Sequence, residues 1–114
     1  MIDLRQAAQQ HKPALPALDH LYANARATWH GRMVNEYMSA TVFENLAVQL
    51  EAAGLEPEVV AECRGFAAEE RKHGVLCGAV VEALGGEALA PVPHRDVFPI
   101  HDDASPLEAA LRNL

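Results

Sequence analysis

The amino-acid sequence predicts an all-α fold. Two observations support this prediction: the amino-acid composition and the positions of the prolines. Alanine and leucine supply 34 of the 57 hydrophobic residues, whereas valine and isoleucine supply 12. Unbranched side chains lose little rotamer freedom in a helix, so this bias favours helix over sheet. No proline lies between Pro16 and Pro57, or between Pro57 and Pro91. The chain has 114 residues, which is the length of a single domain.

Residues 1–18 are predicted to form an N-terminal lead-in segment with at most one short helix. They are polar at first and are then interrupted by Pro13 and Pro16. Asp19 is a suitable N-cap for the segment that follows. The stretch from Asp19 to Ala53 therefore predicts one continuous helix, about 50 Å long at about 1.5 Å per residue.

A second long helix follows after a very short connection. Gly54 is a natural end for the first helix, and Pro57 suits the first turn of the next one. This second helix is expected to run to Leu84 and to end at Gly85-Gly86. Because the connection is so short, the two helices must lie antiparallel, and residues 19–86 form a helical hairpin.

The rest of the chain predicts a crossover and a short helix. Residues 87–104 contain three prolines and several apolar residues, which indicates a segment lying across a surface. Ser105 and Glu108 form a capping box with Pro106 at the first helical position, a strong signal for a helix start. Residues 105–114 are therefore interpreted as the start of a third helix, with fewer than three turns before Leu114.

Charge and hydropathy exclude two classes of function. The net charge of −7 and the pI near 5.2 argue against nucleic-acid binding, which needs a basic face. No apolar run reaches the roughly 18 residues of a membrane span, and the N-terminus lacks a secretory pattern. With only two cysteines, the expected location is the reducing cytoplasm or the inside of a protein compartment.

Three ionisable residues interrupt the apolar rows of the predicted hairpin. In the first helix, steps of seven give a row with Glu36 at its middle, and its apolar members are Trp29, Phe43 and Leu50, flanked by Met33, Ala40 and Ala47. In the second helix, Glu70 lies in the row of Cys63, Cys77 and Leu84, and His73 lies in the row of Phe66 and Val80. Periodic apolar rows predict buried faces, so all three residues are expected to be buried.

The hairpin brings these three residues together. Glu36 lies 18 residues before Gly54 and Glu70 lies 16 after it, so they meet within about one turn. Glu70 and His73 are three residues apart and project from one face. Buried carboxylates are costly without a partner, so the three groups need a common one. Two carboxylates and an imidazole suit iron, with manganese as the alternative metal.

The same residues resemble the first half of a ferritin-like di-iron protein of the rubrerythrin or ferritin type. The resemblance rests on Glu36 with Glu70-Arg71-Lys72-His73, and it covers about residues 29–86. It implies that Glu36 is a terminal ligand, that Glu70 bridges two irons, and that His73 binds the same iron as Glu36. It further implies oxygen or peroxide chemistry with ferroxidase activity.

The chain departs from this family in lacking the second half of the site. After His73 the remaining glutamates are Glu82, Glu87 and Glu108, and none has a histidine three residues on. Either the chain is a fragment of a four-helix protein, or a second copy completes the site. Encapsulated ferritins, which are half-bundles with an iron site at a subunit interface, resemble the second case. We therefore expect a homodimer or a larger ring, because a lone hairpin exposes a large apolar face.

Two other interpretations remain open for the hairpin. The three residues could form a hydrogen-bonded network without metal, with Arg32 or Arg71 as counter-ion, in a helical scaffold or assembly module. A di-metal oxidase acting on an organic substrate is the second. Glu44 is the weakest alternative ligand, and Tyr37 has no role because it points about 100° away from Glu36.

Two further groups of residues are weaker candidates for a functional site. His94 and His101 could form a secondary metal site with the neighbouring acids Asp102 and Asp103. Cys63 and Cys77 lie about 21 Å apart on one helix and cannot form a disulfide with each other. Both cysteines are expected to be buried apolar residues, with thiolate ligation of a metal as the alternative.

Overall fold

The computed structural model describes residues 1–94 and 98–114, and most of them are helical. The elements, in chain order, are β1 (Ile2–Asp3), α1 (Arg5–Ala8), α2 (Tyr22–Ala52), α3 (Pro57–Ala83), β2 (Leu89–Ala90) and α4 (Pro106–Arg112), with single 3-10 turns at Gln9–His11 and Asp19–Leu21. The all-α prediction is thus confirmed for the described residues, apart from one two-stranded ribbon. No described helix has the length and apolar character needed to cross a membrane.

Local signals set the ends of α2 and α3. Gly54 adopts a φ of 80° after α2, and its N–H donates to the carbonyl of Glu51. Gly85 adopts a φ of 87° after α3, a conformation that glycine tolerates best. The start of α2 differs from the prediction: residues 19–21 form a 3-10 turn and Asp19 makes no side-chain cap.

The two long helices run in opposite directions along each other. At one end, Arg26 on α2 donates to the carbonyl of Leu84 at 3.2 Å. At the other end, Arg64 on α3 donates to Glu51 on α2 at 2.8 Å. Residues from the start of α2 therefore lie beside the end of α3, which is the arrangement that brings Glu36 close to Glu70.

The N-terminal segment covers one side of this helix pair. Strand β1 pairs with β2 in antiparallel register, with Ile2 opposite Ala90, and the N–H of Leu4 donates to Ala88. A buried cluster forms there, made of Ile2, Ala8, Met33, Cys77, Ala79, Ala88 and Ala90. The short helix expected in the lead-in is present as α1. The ribbon was not predicted, because strands of two residues leave no readable pattern.

Helix α4 packs against the other end of α2. Ser105 caps it as predicted, since its Oγ accepts from the N–H of Glu108 at 3.3 Å. Ala110 joins a second buried cluster with Leu46, Ala47, Val60 and Cys63, and Phe98 packs against that cluster. The crossover thus does lie across a surface at Phe98. Val97, an apolar residue of the same segment, falls outside the described residues.

Candidate metal centre

The structure brings Glu36, Glu70 and His73 together, as the spacing predicts. Glu36 comes from the middle of α2, while Glu70 and His73 come from successive turns of α3. One potential ligand atom from each of the three side chains lies within 4.8 Å of the other two. In the described part of the chain, this is the group of three histidine, cysteine or acidic side chains that is close enough to hold a metal ion.

The distances fit a shared cation. Nδ1 of His73 lies 3.5 Å from Oε1 of Glu70 and 3.7 Å from Oε2 of Glu36. Ligand atoms that are each about 2.1 Å from one ion lie about 3 to 4.2 Å apart, depending on the angle between them. Both histidine distances fall in this range. The three side chains are therefore close enough that they could share one ion.

The prediction that these residues are buried is wrong for the single chain. The exposed side-chain fraction is 34% for Glu36, 22% for Glu70 and 47% for His73. Met33, Ala40 and Ala47 on α2 are buried as expected. Two helices can bury only the stripes that face each other, and the rows of Glu36 and His73 lie at the edge of that contact. The site therefore opens onto an uncovered face of the helix pair.

The electrostatics of the site indicate an excess of negative charge. A hydrogen bond shared with Glu36 raises the pKa of Glu70, and burial and repulsion from the Glu36 carboxylate raise it further. His73 opposes this shift, but the balance remains upward. The ionised form of Glu70 is thus disfavoured beside Glu36. A divalent cation at this position would favour the ionised form.

The arginines that were considered as counter-ions contact other groups. Arg71 forms an ion pair with Glu44, and the guanidinium of Arg32 lies 5.3 Å from the ring centroid of Trp29. Within residues 1–94 and 98–114, the recorded ion pairs of Glu36 and Glu70 are both with His73. Glu44 is occupied by Arg71 and is not placed as a fourth ligand.

The weaker candidate residues from the sequence contact groups outside the cluster of Glu36, Glu70 and His73. His101 is within hydrogen-bond distance of Asn113 at 2.9 Å, and Asp103 pairs with Arg112, so the secondary site predicted with His94 and Asp102 is not assembled among the described residues. Cys63 and Cys77 are free and buried, as expected. Tyr37 packs against the N-terminal cluster.

Apolar side chains flank the three candidate ligands on the uncovered face. On one side, Phe43 and Phe66 lie with ring centroids 5.6 Å apart, and Phe66 is 48% exposed. On the other side, Trp29 and Val80 line a common groove. Sequence reasoning identified these rows but expected them to be covered.

The arrangement offers two carboxylates and one imidazole, open on one side, which is a donor set that a hard-to-borderline metal ion could use. Comparisons with protein-family models, with curated proteins and with solved structures found no match for this chain. The chemistry of the site thus rests on the three side chains and their surroundings.

Proposed function

We propose that this protein is a ferritin-like di-metal protein that oxidises ferrous iron, and that two copies of the chain complete each site. The observation that carries the proposal is the convergence of Glu36, Glu70 and His73 from two helices on one open face. Iron is the metal that this donor set and the family resemblance favour, and manganese is the alternative.

The case for a metal rests on charge. Two carboxylates and one imidazole meet without an arginine or lysine recorded at the site among the described residues. In a network that served only to hold the helices together, a cation such as Arg71 would be expected to bridge the carboxylates. Arg71 pairs with Glu44 instead, which leaves the Glu36 and Glu70 carboxylates available to a metal.

The case for a second copy rests on incomplete coordination and on exposed apolar surface. Three ligands from one chain leave several positions of a six-coordinate iron open, and a two-metal centre needs about twice as many ligands. The face that carries the site also exposes Phe66 and Val59, by 48% and 41%. A second copy of the same face would supply the missing ligands and cover this apolar surface.

Each side chain has a role that its position supports. Glu70, the least exposed of the three, would bridge the two metals. Glu36 and His73 would bind the outer side of one of them, with Nδ1 of His73 already turned towards the carboxylates. When bound, iron supplies the one-electron chemistry: each ferrous ion, as substrate, loses one electron to oxygen or peroxide.

Metal analysis of the purified protein tests this proposal. We expect about one iron or manganese per chain, and we expect the Glu70→Ala variant to lose it. Glu69→Ala is the matched control, because Glu69 is an exposed neighbouring glutamate outside the cluster. No bound metal in the wild-type protein, with Glu70→Leu tolerated, would overturn the proposal and favour a metal-free scaffold.

Two further measurements separate the remaining possibilities. Oxidation of ferrous iron without an added organic substrate supports ferroxidase activity, whereas oxidation that requires an organic substrate indicates a di-metal oxidase. Light scattering at micromolar concentration measures the oligomeric state in the presence of metal. A monomer that holds metal would contradict the shared site.

A further inference from the structure

We infer that the two copies are related by a two-fold axis that runs perpendicular to the long helices, between the two open faces, at the level of the proposed metal ligands. In this dimer, residues 15–22 of one copy fill the groove beside Phe66 and Val59 of the other. This inference rests on the proposed function, because it specifies how the two half-sites meet. It predicts which residues of the two copies are in contact, which the proposed function alone does not.

The ligands lie at the centre of the uncovered face. Trp29 lies seven residues before Glu36 and Phe43 lies seven after it. On α3, Phe66 and Val80 lie seven residues before and after His73. The apolar rows therefore extend about equally, by about 10 Å, to both sides of the site. A two-fold axis at the ligands therefore brings each end of this face in one copy against one end of the same face in the other copy.

One end of the face carries additional chain. Residues 15–22 lie beside Trp29, Val80 and Leu84 and form with them a groove of about 200 Å³. The hydroxyl of Tyr22 donates to the carbonyl of Pro16 at 2.6 Å, which fixes this segment against the start of α2. Leu18 and Leu21 remain 44% and 49% exposed on it. This end therefore presents a ridge with leucines on its surface.

The other end of the face is a groove with no such cover. Phe43, Leu50, Val59 and Phe66 line it, together with Leu46, Glu62, Cys63 and Leu114, and its volume is about 270 Å³. Val59 and Phe66 are 41% and 48% exposed, and Leu114 at its rim is 78% exposed. This end has the apolar lining that a leucine side chain needs.

The two ends differ in shape, and this decides the direction of the axis. An axis parallel to the helices would place the ridge of residues 15–22 against the same ridge of the partner and hold the faces apart. An axis perpendicular to the helices turns one copy end to end and places its ridge in the partner's groove. By symmetry the same contact forms a second time at the other end. Only the second arrangement lets the two sets of Glu36, Glu70 and His73 approach each other while the apolar ends are covered.

The area of the face suits a stable dimer. It extends about 40 Å along the helices and about 20 Å across two helix diameters. This gives about 800 Å² per copy, the size of a standard specific interface. The long dimension of the chain, 54 Å, leaves room for this face.

A charge-pair experiment tests the axis. In the proposed dimer Leu21 of one copy lies opposite Val59 of the other, whereas within one chain they are about 43 Å apart along the helices. We expect Leu21→Lys and Val59→Glu each to raise the dimer dissociation constant about 100-fold when measured alone, with Mn²⁺ present. An equimolar mixture should recover to within about tenfold of the wild type, as a heterodimer with one Lys–Glu pair. Leu21→Lys mixed with Val59→Lys is the matched control, because it places two lysines at the same contact, and it should give no recovery.

Disulfide trapping covers the case in which a charged variant does not fold. Both variants are made in a chain whose native cysteines are replaced (Cys63→Ala and Cys77→Ala), because Cys63 lines the same groove. Leu21→Cys mixed with Val59→Cys should then give a cross-linked heterodimer under mild oxidation, and either variant alone should give little cross-linked product. A dimer that binds metal but shows no recovery and no mixed cross-link would overturn the axis and leave the proposed function intact. A mixed cross-link in a protein that binds no metal would support the axis and overturn the proposed function. A wild-type chain that stays monomeric with Mn²⁺ would overturn both.

Discussion

Replacement of Glu70 by glutamine should have opposite effects on the metal-free and the metal-bound protein. The substitution keeps the shape and the hydrogen-bonding capacity of the side chain but removes its charge. Glu36 and Glu70 have ligand atoms within 4.8 Å of each other. At that separation two unit charges repel by about 1 kcal/mol in water, and by about 3.5 kcal/mol at an effective dielectric constant of 20.

The exposure of the two side chains places the real repulsion near the lower value. Glu36 and Glu70 are 34% and 22% exposed, so water screens them substantially. The variant also loses part of its contact with His73, which offsets some of the gain. We therefore expect Glu70→Gln to raise the free energy of unfolding of the metal-free protein by about 0.5 kcal/mol at pH 8.

The same gain should disappear as the pH falls. The pKa of Glu70 is higher in the folded chain than the ordinary 4.5, so the folded state binds more protons than the unfolded state in the window above 4.5. The free energy of unfolding of the wild type then rises as the pH falls through the raised pKa. Glutamine does not titrate, and the difference between the two proteins should shrink in that window.

Metal should reverse the order of stability. At a Mn²⁺ concentration 100 times its dissociation constant, binding raises the free energy of unfolding by about 2.7 kcal/mol. The wild type should gain this amount and Glu70→Gln should not. The assay is urea denaturation with and without Mn²⁺ at one protein concentration, with Glu69→Gln as the control. If the metal-free variant is less stable than the wild type, Glu70 stabilises the helix pair itself and the charge argument fails.

Two further predictions concern packing. Gly65→Ala should raise the free energy of unfolding by about 0.5 to 1 kcal/mol, because its Cβ would have nothing within 4 Å and alanine favours the helix. Gly78→Ala should lower the free energy of unfolding by about 1 kcal/mol, because its Cβ would lie 3.0 Å from that of Ala88. Urea denaturation measures both variants, and equal effects of the two substitutions would contradict the prediction. Burial raises the pKa of the Cys63 and Cys77 thiols, so at pH 8 an aromatic disulfide reagent should react about ten times more slowly with the native than with the unfolded chain. Native thiols that react as fast as unfolded ones would show that both are accessible.

The helices and the convergence of the three ligands could be predicted because both depend on local signals. Gly54 and Pro57 mark the turn between the long helices, and counting from that turn places Glu36 beside Glu70. Ser105 marks α4 in the same way. The expected N-cap at Asp19 is wrong because residues 19–21 form a 3-10 turn, and α2 begins after this turn at Tyr22.

The exposure of the site could not be predicted, because it depends on where distant segments pack. Gly74 and Gly78 allow other segments to approach α3 closely: a Cβ at Gly74 would lie 3.5 Å from the backbone nitrogen of Tyr37 on α2 and 3.7 Å from Leu4, and one at Gly78 would lie 3.0 Å from Ala88. The N-terminal segment and the β2 strand therefore cover the side of α3 that carries the glycines. They cannot also cover the side that carries His73, which stays 47% exposed. Two small residues four positions apart thus help decide which face of the helix pair is left open, and it is the face with Glu36, Glu70 and His73.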